Sequence, residues 1–201
     1  MTEKIIDNRN EKQMAIDLLD IAEKNLLLSI VGLKNEEVTK QIAPNINHIL
    51  WIVGHLASHV DMVYCDSCMD NRIMNEDMTK YFAYGVSKEQ VTEKPPVSFG
   101  ELIEIYLKIS KKVFEYLDQL PEEKYMYVPE TSEGKEIKES IKNTLERVSL
   151  HMMGHIGQIY LIRRHIENPG KGFVAGIAKS GRQYILENWL KWWEENKKEY
   201  F

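Results

Sequence analysis

The chain has 201 residues, of which 43% are hydrophobic and 28% are charged, a composition that excludes a disordered or fibrous protein. Its formal net charge of −5 and sequence pI of about 5.7 argue against nucleic-acid binding, which would need a basic face. No apolar stretch reaches the roughly 18 residues of a membrane span, so we expect one domain over residues 1–201 that does not enter a membrane.

The N-terminal segment "MTEKIIDNRNEK" is charged and lacks the apolar stretch of a secretory signal, which predicts a cytoplasmic protein. The first predicted helix follows at residues 10–31, where apolar residues recur at helical spacing. We expect this apolar stripe to face the core of the protein. It consists of Met14, Leu18, Ile21 and Leu28.

The second predicted helix covers residues 45–69 and carries an apolar stripe at intervals of three and four residues. The stripe consists of Ile49, Val53, Leu56, Val60 and Val63. The same helix contains a lone C-x-x-C pair, Cys65 and Cys68. A zinc ribbon would need a second pair, and a thioredoxin-like pair would need a βαβ setting. We therefore interpret both cysteines as reduced structural thiols, with a redox or auxiliary metal role as the alternative.

Residues 70–97 form a long predicted connection with at most a short helical turn, and connections of this length often lie over a binding cleft. The third predicted helix covers residues 98–120. It begins at Ser98, which forms a capping-box pattern with Glu101. Beyond it, the alternation in "YMYV" favours a small β-hairpin within residues 122–137.

The fourth predicted helix covers residues 138–166, and its apolar positions alternate intervals of four and three, as in bundle cores. These positions are Ile141, Leu145, Val148, Met152, His155, Ile159 and Ile162. A terminal helix at residues 182–198 carries Trp189, Trp192 and Trp193, which we expect to be buried against the bundle or a partner chain. The predicted fold class is all-α: a four-helix bundle with a short extra C-terminal helix.

The histidines are distributed unevenly over the predicted helices. His48, His55 and His59 lie on the second helix within about 40° of one another, and His151 and His155 lie four residues apart on the fourth. Such a pair can hold one ion, with a third ligand supplied by the second helix. Three imidazoles with an open position are typical of a catalytic metal site and suit Zn, Ni, Fe or Cu. The alternative is ordinary core histidines with hydrogen-bond partners.

The segments "NHILWIVGHLASHVDMVY" at 47–64 and "HMMGHIGQIYLIRR" at 151–164 resemble the DinB-like family of metal-binding four-helix-bundle proteins. The resemblance covers most of the chain. It implies a divalent metal site, Zn or Ni, with the ligands His55, His151 and His155, and it also implies a homodimer. The family includes S-transferases that use a low-molecular-weight thiol such as bacillithiol, mycothiol or glutathione.

Two positions near these motifs leave alternatives open. Gln158, one turn after His155, is interpreted either as a residue that orients a ligand or a bound water, or as an ordinary polar face residue. Many family members have arginine directly after the last ligand histidine, where this chain has Ile156. The subgroup within the family therefore stays open.

The leading hypothesis is a divalent-metal-dependent enzyme whose three-histidine site activates a thiol or a water for thiol transfer or hydrolysis of a small-molecule substrate. The alternative is a non-catalytic metal-binding or structural stress-response bundle. No catalytic residue is assigned. Asp61 and Glu146 are candidates for a general base only because they lie near the two motifs.

Overall fold

A computed structural model describes residues 9–85, 94–129, 139–171 and 176–201. The described part of the chain is helical and contains no strand, which confirms the predicted all-α class. The α-helices are α1 (Glu11–Ile30), α2 (Asn35–Val38), α3 (Ile49–Val60), α4 (Glu76–Tyr81), α5 (Phe99–Gln119), α6 (Ile141–His165) and α7 (Lys179–Asn196). Among the described helices, none is both long enough and apolar enough to cross a membrane.

The long helices α1, α3, α5 and α6 form the bundle around one hydrophobic core. Helix α1 packs along α6 in the parallel direction, because Glu11 pairs with Lys142 at one end and Ser29 contacts Arg163 at the other. Helix α3 packs against both α5 and α6. This packing turns the inner face of α3 toward α6, where the predicted metal-binding histidines lie.

The predicted stripes of α3 and α6 are confirmed, except that His155 is only half-buried, but the stripe of α1 is wrong. Met14 and Leu18 are each 48% exposed. The buried face of α1 lies one position further along the helix and consists of Ala15, Leu19, Ala22, Leu26 and Leu27. Two residues of the buried face are alanines, which contribute little hydrophobicity to the sequence pattern. The neighbouring stripe of larger apolar side chains therefore gave the stronger helical pattern in the sequence.

The predicted hairpin is also wrong over the residues that the structure describes. Glu122–Lys124 forms a short 3₁₀ helix, and the segment after it is a turn. The carbonyl groups of Tyr125 and Tyr127 accept hydrogen bonds from the backbone N–H groups of Lys142 and Ile141, at 3.1 and 3.3 Å. These N–H groups belong to the first turn of α6 and have no partner within the helix. The remainder of the expected hairpin, residues 130–138, lies outside the described residues.

The second predicted helix begins at Ile49 instead of residue 45, and its last part is a π-helix instead of an α-helix. His48 caps α3, because its Nδ1 accepts a hydrogen bond of 3.0 Å from the backbone N–H of Trp51. After Val60 the chain continues as a π-helix over Asp61–Asp66. Asp61 is fully buried, and its carboxylate accepts hydrogen bonds from the backbone N–H groups of Ile73 and Met74, the shortest at 2.8 Å. The Asp61 carboxylate therefore holds the turn that follows the π-helix.

Helix α7 lies against the bundle through its tryptophans, as the sequence predicted. Trp189 and Trp193 are 2% and 1% exposed. The indole N–H of Trp189 donates to the carbonyl oxygen of Leu27 at 2.8 Å, and that of Trp193 donates to Glu104 at 2.7 Å. Since Leu27 is in α1 and Glu104 is in α5, α7 connects two helices of the bundle.

A buried arginine donates hydrogen bonds to backbone carbonyl groups at the C-terminal end of α1. Arg163 is 1% exposed, and its guanidinium donates to the carbonyl oxygens of Ser29 and Val31 at 2.6 and 2.9 Å. Its Nε donates to the carbonyl oxygen of Asn168 at 2.8 Å. The last carbonyl groups of a helix have no partner within the helix, so Arg163 joins the ends of α1 and α6.

We expect the substitution Arg163→Met to destabilise the protein by about 3 kcal/mol, since several buried carbonyl groups lose their donors. Urea unfolding followed by circular dichroism measures this loss. The matched control is Arg164→Met at the exposed neighbouring position, which should change stability by less than about 0.5 kcal/mol. Equal shifts of the unfolding midpoint in the two variants would show that the cap at the end of α1 contributes nothing.

Candidate metal centre

The structure brings together the three histidines that the sequence predicts as ligands. His55 comes from α3, and His151 and His155 come from α6. Each offers one ring nitrogen, and the three nitrogens lie within 4.8 Å of one another. The ring centroids are separated by 5.3 Å between His55 and His151, 5.0 Å between His55 and His155, and 4.6 Å between His151 and His155.

Hydrogen bonds set which nitrogen carries the proton in two of the rings. The Nδ1 of His55 lies 2.9 Å from the carbonyl oxygen of Phe82, which can only accept, so Nδ1 carries the proton. The Nδ1 of His155 donates to Oε1 of Gln158 at 2.8 Å. In both rings the lone pair is therefore on Nε2, the arrangement that orients a metal-ligating imidazole. Gln158 thus forms the hydrogen bond to His155 that its interpretation as an orienting residue requires.

The nitrogen atoms fit a divalent ion. The Nε2 atoms of His151 and His155 lie 3.0 Å apart, so a proton or a cation has to lie between their lone pairs. The Nδ1 of His151 is buried and has no hydrogen-bond partner in the described part of the protein. A tetrahedral zinc site with Zn–N distances of about 2.0–2.1 Å places its ligand nitrogens about 3.4 Å apart. This donor set is therefore compatible with a divalent metal ion, and imidazole ligands suit Zn, Cu, Fe and Ni alike.

The environment favours the neutral form of the His151 and His155 imidazoles. Burial, and after it the neighbouring imidazole of His155, lowers the pKa of His151 to about 4. Burial also lowers the pKa of His155. Rings that are neutral at pH 7 offer their lone pairs to a metal without first losing a proton.

The "WIVGH" motif of α3 holds the end of α4 against the histidine group. The indole N–H of Trp51 donates to the carbonyl oxygen of Tyr81 at 3.0 Å, and its ring stacks on His55 at 4.9 Å. Gly54 leaves room for the ring of Phe82, because a Cβ at position 54 would lie 2.2 Å from that ring. The motif therefore seats the segment whose carbonyl group orients His55.

The connection at residues 70–97 contains only the short helix α4 over Glu76–Tyr81 within its described part, as predicted. The residue after this helix, Phe82, contacts the histidine group and was missed by sequence reasoning. It acts through a backbone carbonyl group, which carries no side-chain signature. The one available signal was Gly54, a glycine inside an otherwise apolar helix.

The two remaining histidines of the second predicted helix have different positions. His48 caps α3 and does not belong to the histidine group. His59 lies beside it, with ring centroids 4.5 Å from His151 and 6.4 Å from His55. Its Nε2 lies 3.3 Å from Nη1 of Arg147. Burial, and after it the imidazole of His151, lowers the pKa of His59 to about 3.

The cysteine pair lies on the π-helix and the turn after it, and among the described residues neither thiol belongs to the histidine group. Both cysteines are free. Burial raises the pKa of Cys65 to about 12 and that of Cys68 to about 11. Thiols with such pKa values stay protonated at neutral pH and are poor nucleophiles and ligands. This supports their interpretation as structural thiols.

Glu146, the second candidate for a general base, is exposed. It lines a shallow surface groove between α1 and α6 together with Met14, Leu18 and Lys142. That groove contains none of the three clustered histidines.

The family model described as mycothiol-S-transferase matches residues 15–168 of the chain, which include the whole histidine group. No curated protein matches the chain. A solved structure, the crystal structure of the conserved protein of locus from Enterococcus faecalis, is similar with a TM-score of 0.59 and 17% identity. The similarity covers 76% of this chain and 94% of that chain, and at this identity it shows the fold alone.

We expect Gly54→Ala to weaken Zn²⁺ binding by the histidine group by about 10- to 100-fold, the usual effect of disturbing a group that orients a ligand. The added Cβ would displace the ring of Phe82 and with it the carbonyl group that orients His55. Competition with a chromophoric chelator measures the affinity.

The matched control for this experiment is Gly157→Ala on α6, where an added Cβ meets no atom within 4 Å. This variant should bind Zn²⁺ like the wild type. The double variant Gly54→Ala/Phe82→Leu should recover part of the lost affinity. A Gly54→Ala protein that binds Zn²⁺ as tightly as the wild type would refute the role of Phe82.

Proposed function

The chain belongs to the mycothiol-S-transferase family, a DinB-like family, and on this basis we propose that it is a metal-dependent enzyme that transfers a low-molecular-weight thiol to an electrophilic small molecule. The observation that carries the proposal is the convergence of three imidazole nitrogens from α3 and α6. We propose that His55, His151 and His155 hold one divalent ion, Zn or Ni.

Three imidazole ligands leave a coordination position for an external ligand, as catalytic zinc sites do. When bound, a divalent ion lowers the pKa of a coordinated thiol and so supplies a sulfur nucleophile at neutral pH. The protein ligands in this proposal are neutral, so they leave the positive charge of the ion uncompensated and favour an anionic sulfur. In the transfer a carbon–sulfur bond forms, the leaving group takes its electron pair, and the proton of the thiol passes to solvent.

The residues around the histidines have positioning roles in this proposal. The Phe82 carbonyl group and the Gln158 side chain hold His55 and His155 with Nε2 toward the common centre. Trp51 covers one face of His55 with a ring that is parallel to within 6°. These contacts restrict the rotation of the ligand rings and keep water from that side of the group.

A reducing compartment fits the proposed reaction, since a low-molecular-weight thiol has to stay reduced to react. The two cysteines of the chain are both free thiols. We therefore propose a cytoplasmic location for the enzyme.

We also propose that a second copy of the chain covers an exposed apolar surface formed by Met14 and Leu18 of α1 and Leu150 of α6. Their exposed fractions are 48%, 48% and 73%. Met14 and Leu18 line one groove with Glu146, and Leu150 follows Glu146 by one turn of α6. Apolar side chains grouped in this way on a surface mark an interaction site.

The metal site is tested by elemental analysis of the untagged protein. We expect about one divalent ion per chain in the wild type and its loss in His55→Ala, His151→Ala and His155→Ala, because each variant removes one of three ligands. His165→Ala, at the exposed end of α6, is the control and should retain the ion. Retention of the ion in His155→Ala would refute this ligand set.

Activity is tested on the same proteins with mycothiol, bacillithiol and glutathione and an electrophile such as 1-chloro-2,4-dinitrobenzene. The metal-loaded wild type should form the thioether and release chloride at least 100-fold faster than the three variants. Removal of the ion should stop turnover with little change in the thermal midpoint. A large loss of stability without any turnover by the loaded protein would favour a structural ion instead.

The dimer is tested by sedimentation at micromolar protein concentration. The wild type should sediment as a dimer and Leu150→Glu as a monomer, since a carboxylate buried in the contact would lose its hydration. Tyr184→Glu on α7, at a position 69% exposed, is the control and should remain dimeric. A monomeric wild type would refute the proposed contact.

A further inference from the structure

Four imidazoles, not three, meet between α3 and α6. His55 and His59 form a pair four residues apart on α3, and it faces the matching pair of His151 and His155 on α6. The ring of His59 touches that of His151, with centroids 4.5 Å apart, and lies edge-on to that of His55 at 6.4 Å. Imidazoles on one tetrahedral ion with metal–nitrogen distances of about 2.0–2.1 Å have centroids about 5 Å apart. The four rings therefore approach the arrangement of a closed four-histidine site.

A hydrogen bond from Arg147 occupies the Nε2 lone pair of His59, the atom that would otherwise be free to bind a metal ion. Nη1 of Arg147 lies 3.3 Å from Nε2 of His59. A guanidinium only donates, so Nε2 of His59 is the acceptor and its lone pair is already in use. The Nε of Arg147 donates in turn to a carboxylate oxygen of Glu139 at 2.8 Å. Glu139 thus positions Arg147, which in turn donates the hydrogen bond to His59.

We propose that Arg147 is a positioning residue that keeps His59 off the metal and so preserves an open coordination position for the thiol. The inference rests on the proposed function, because it assumes that His55, His151 and His155 hold a metal ion. Without Arg147, the Nε2 lone pair of His59 is free, and the ring is already in contact with a ligand ring. His59 then completes a four-imidazole site, which has the closed ligand set of structural zinc sites.

The choice between the two ligand sets decides whether the thiol can bind. An imidazole attached to the same protein has a high effective concentration at the metal and competes with a thiol from solution. The hydrogen bond from Arg147 prevents His59 from competing, and the surface ion pair with Glu139 holds Arg147 in place. Arg147 and Glu139 are 45% and 39% exposed, so neither has a role in the hydrophobic core.

The test uses Arg147→Met in the Co²⁺-loaded protein, because Met keeps an unbranched apolar stem at this position and removes the guanidinium donors. X-ray absorption should count three imidazoles on Co²⁺ in the wild type and four in Arg147→Met. Addition of glutathione should change the visible Co²⁺ spectrum of the wild type, and the variant should need at least 10-fold more thiol for the same change. Neither measurement depends on turnover.

Three further variants separate this mechanism from a general disturbance. Arg147→Met/His59→Phe removes the competing imidazole and should recover the three-imidazole count and the response to thiol. Glu139→Gln releases Arg147 without changing either histidine and should shift the count toward four. Arg164→Met, on an exposed arginine of the same helix, should behave as the wild type.

The outcomes distinguish failure of this inference from failure of the proposed function. Three imidazoles and an unchanged thiol response in Arg147→Met would overturn the role of Arg147. Four imidazoles in the wild type would overturn it too, while the three predicted ligands would still stand. A wild type that binds no Co²⁺, Zn²⁺ or Ni²⁺ would overturn the proposed function and this inference together.

Discussion

The hydrogen bond between His55 and the carbonyl group of Phe82 is the contact on which the histidine group depends. It joins α3 to the end of α4 across 27 residues and leaves the lone pair of His55 toward α6. Gly54 and Trp51 both act on the same segment, one by making room for the Phe82 ring and the other by bonding to the carbonyl group of Tyr81. The short helix α4 therefore contributes to the site although it supplies none of the three clustered histidines.

Sequence reasoning succeeded where the signal was local. The stripes of α3 and α6 follow from apolar residues that recur at intervals of three and four positions. The start of α5 follows from the capping box at Ser98, which is present in the structure. The grouping of His55, His151 and His155, which the structure shows, was expected from the spacing of the pair on α6 and from the resemblance of the two motifs. Each of these motifs lies within a few turns of its own helix.

The features that sequence reasoning missed depend on contacts between distant parts of the chain. Phe82 acts through a backbone carbonyl group, and Arg147 lies 88 residues from the His59 that it contacts. The buried face of α1 could not be recognised from the sequence, because its alanines contribute little to the hydrophobic pattern. Which face of α1 is buried depends on its packing against α6. The expected hairpin failed because the carbonyl groups of Tyr125 and Tyr127 bond to the first turn of α6 and not to a second strand.

The stacking of Trp51 on His55 gives the protein an optical signal of its own. The two rings are parallel to within 6° at 4.9 Å, a distance at which an excited indole can transfer an electron to an imidazole that has gained positive charge. A cation bound to His55 would therefore quench the fluorescence of Trp51. The three other tryptophans lie together on α7 and would add a constant background. The natural fluorescence of the unlabelled chain would thus report occupancy of the histidine group directly.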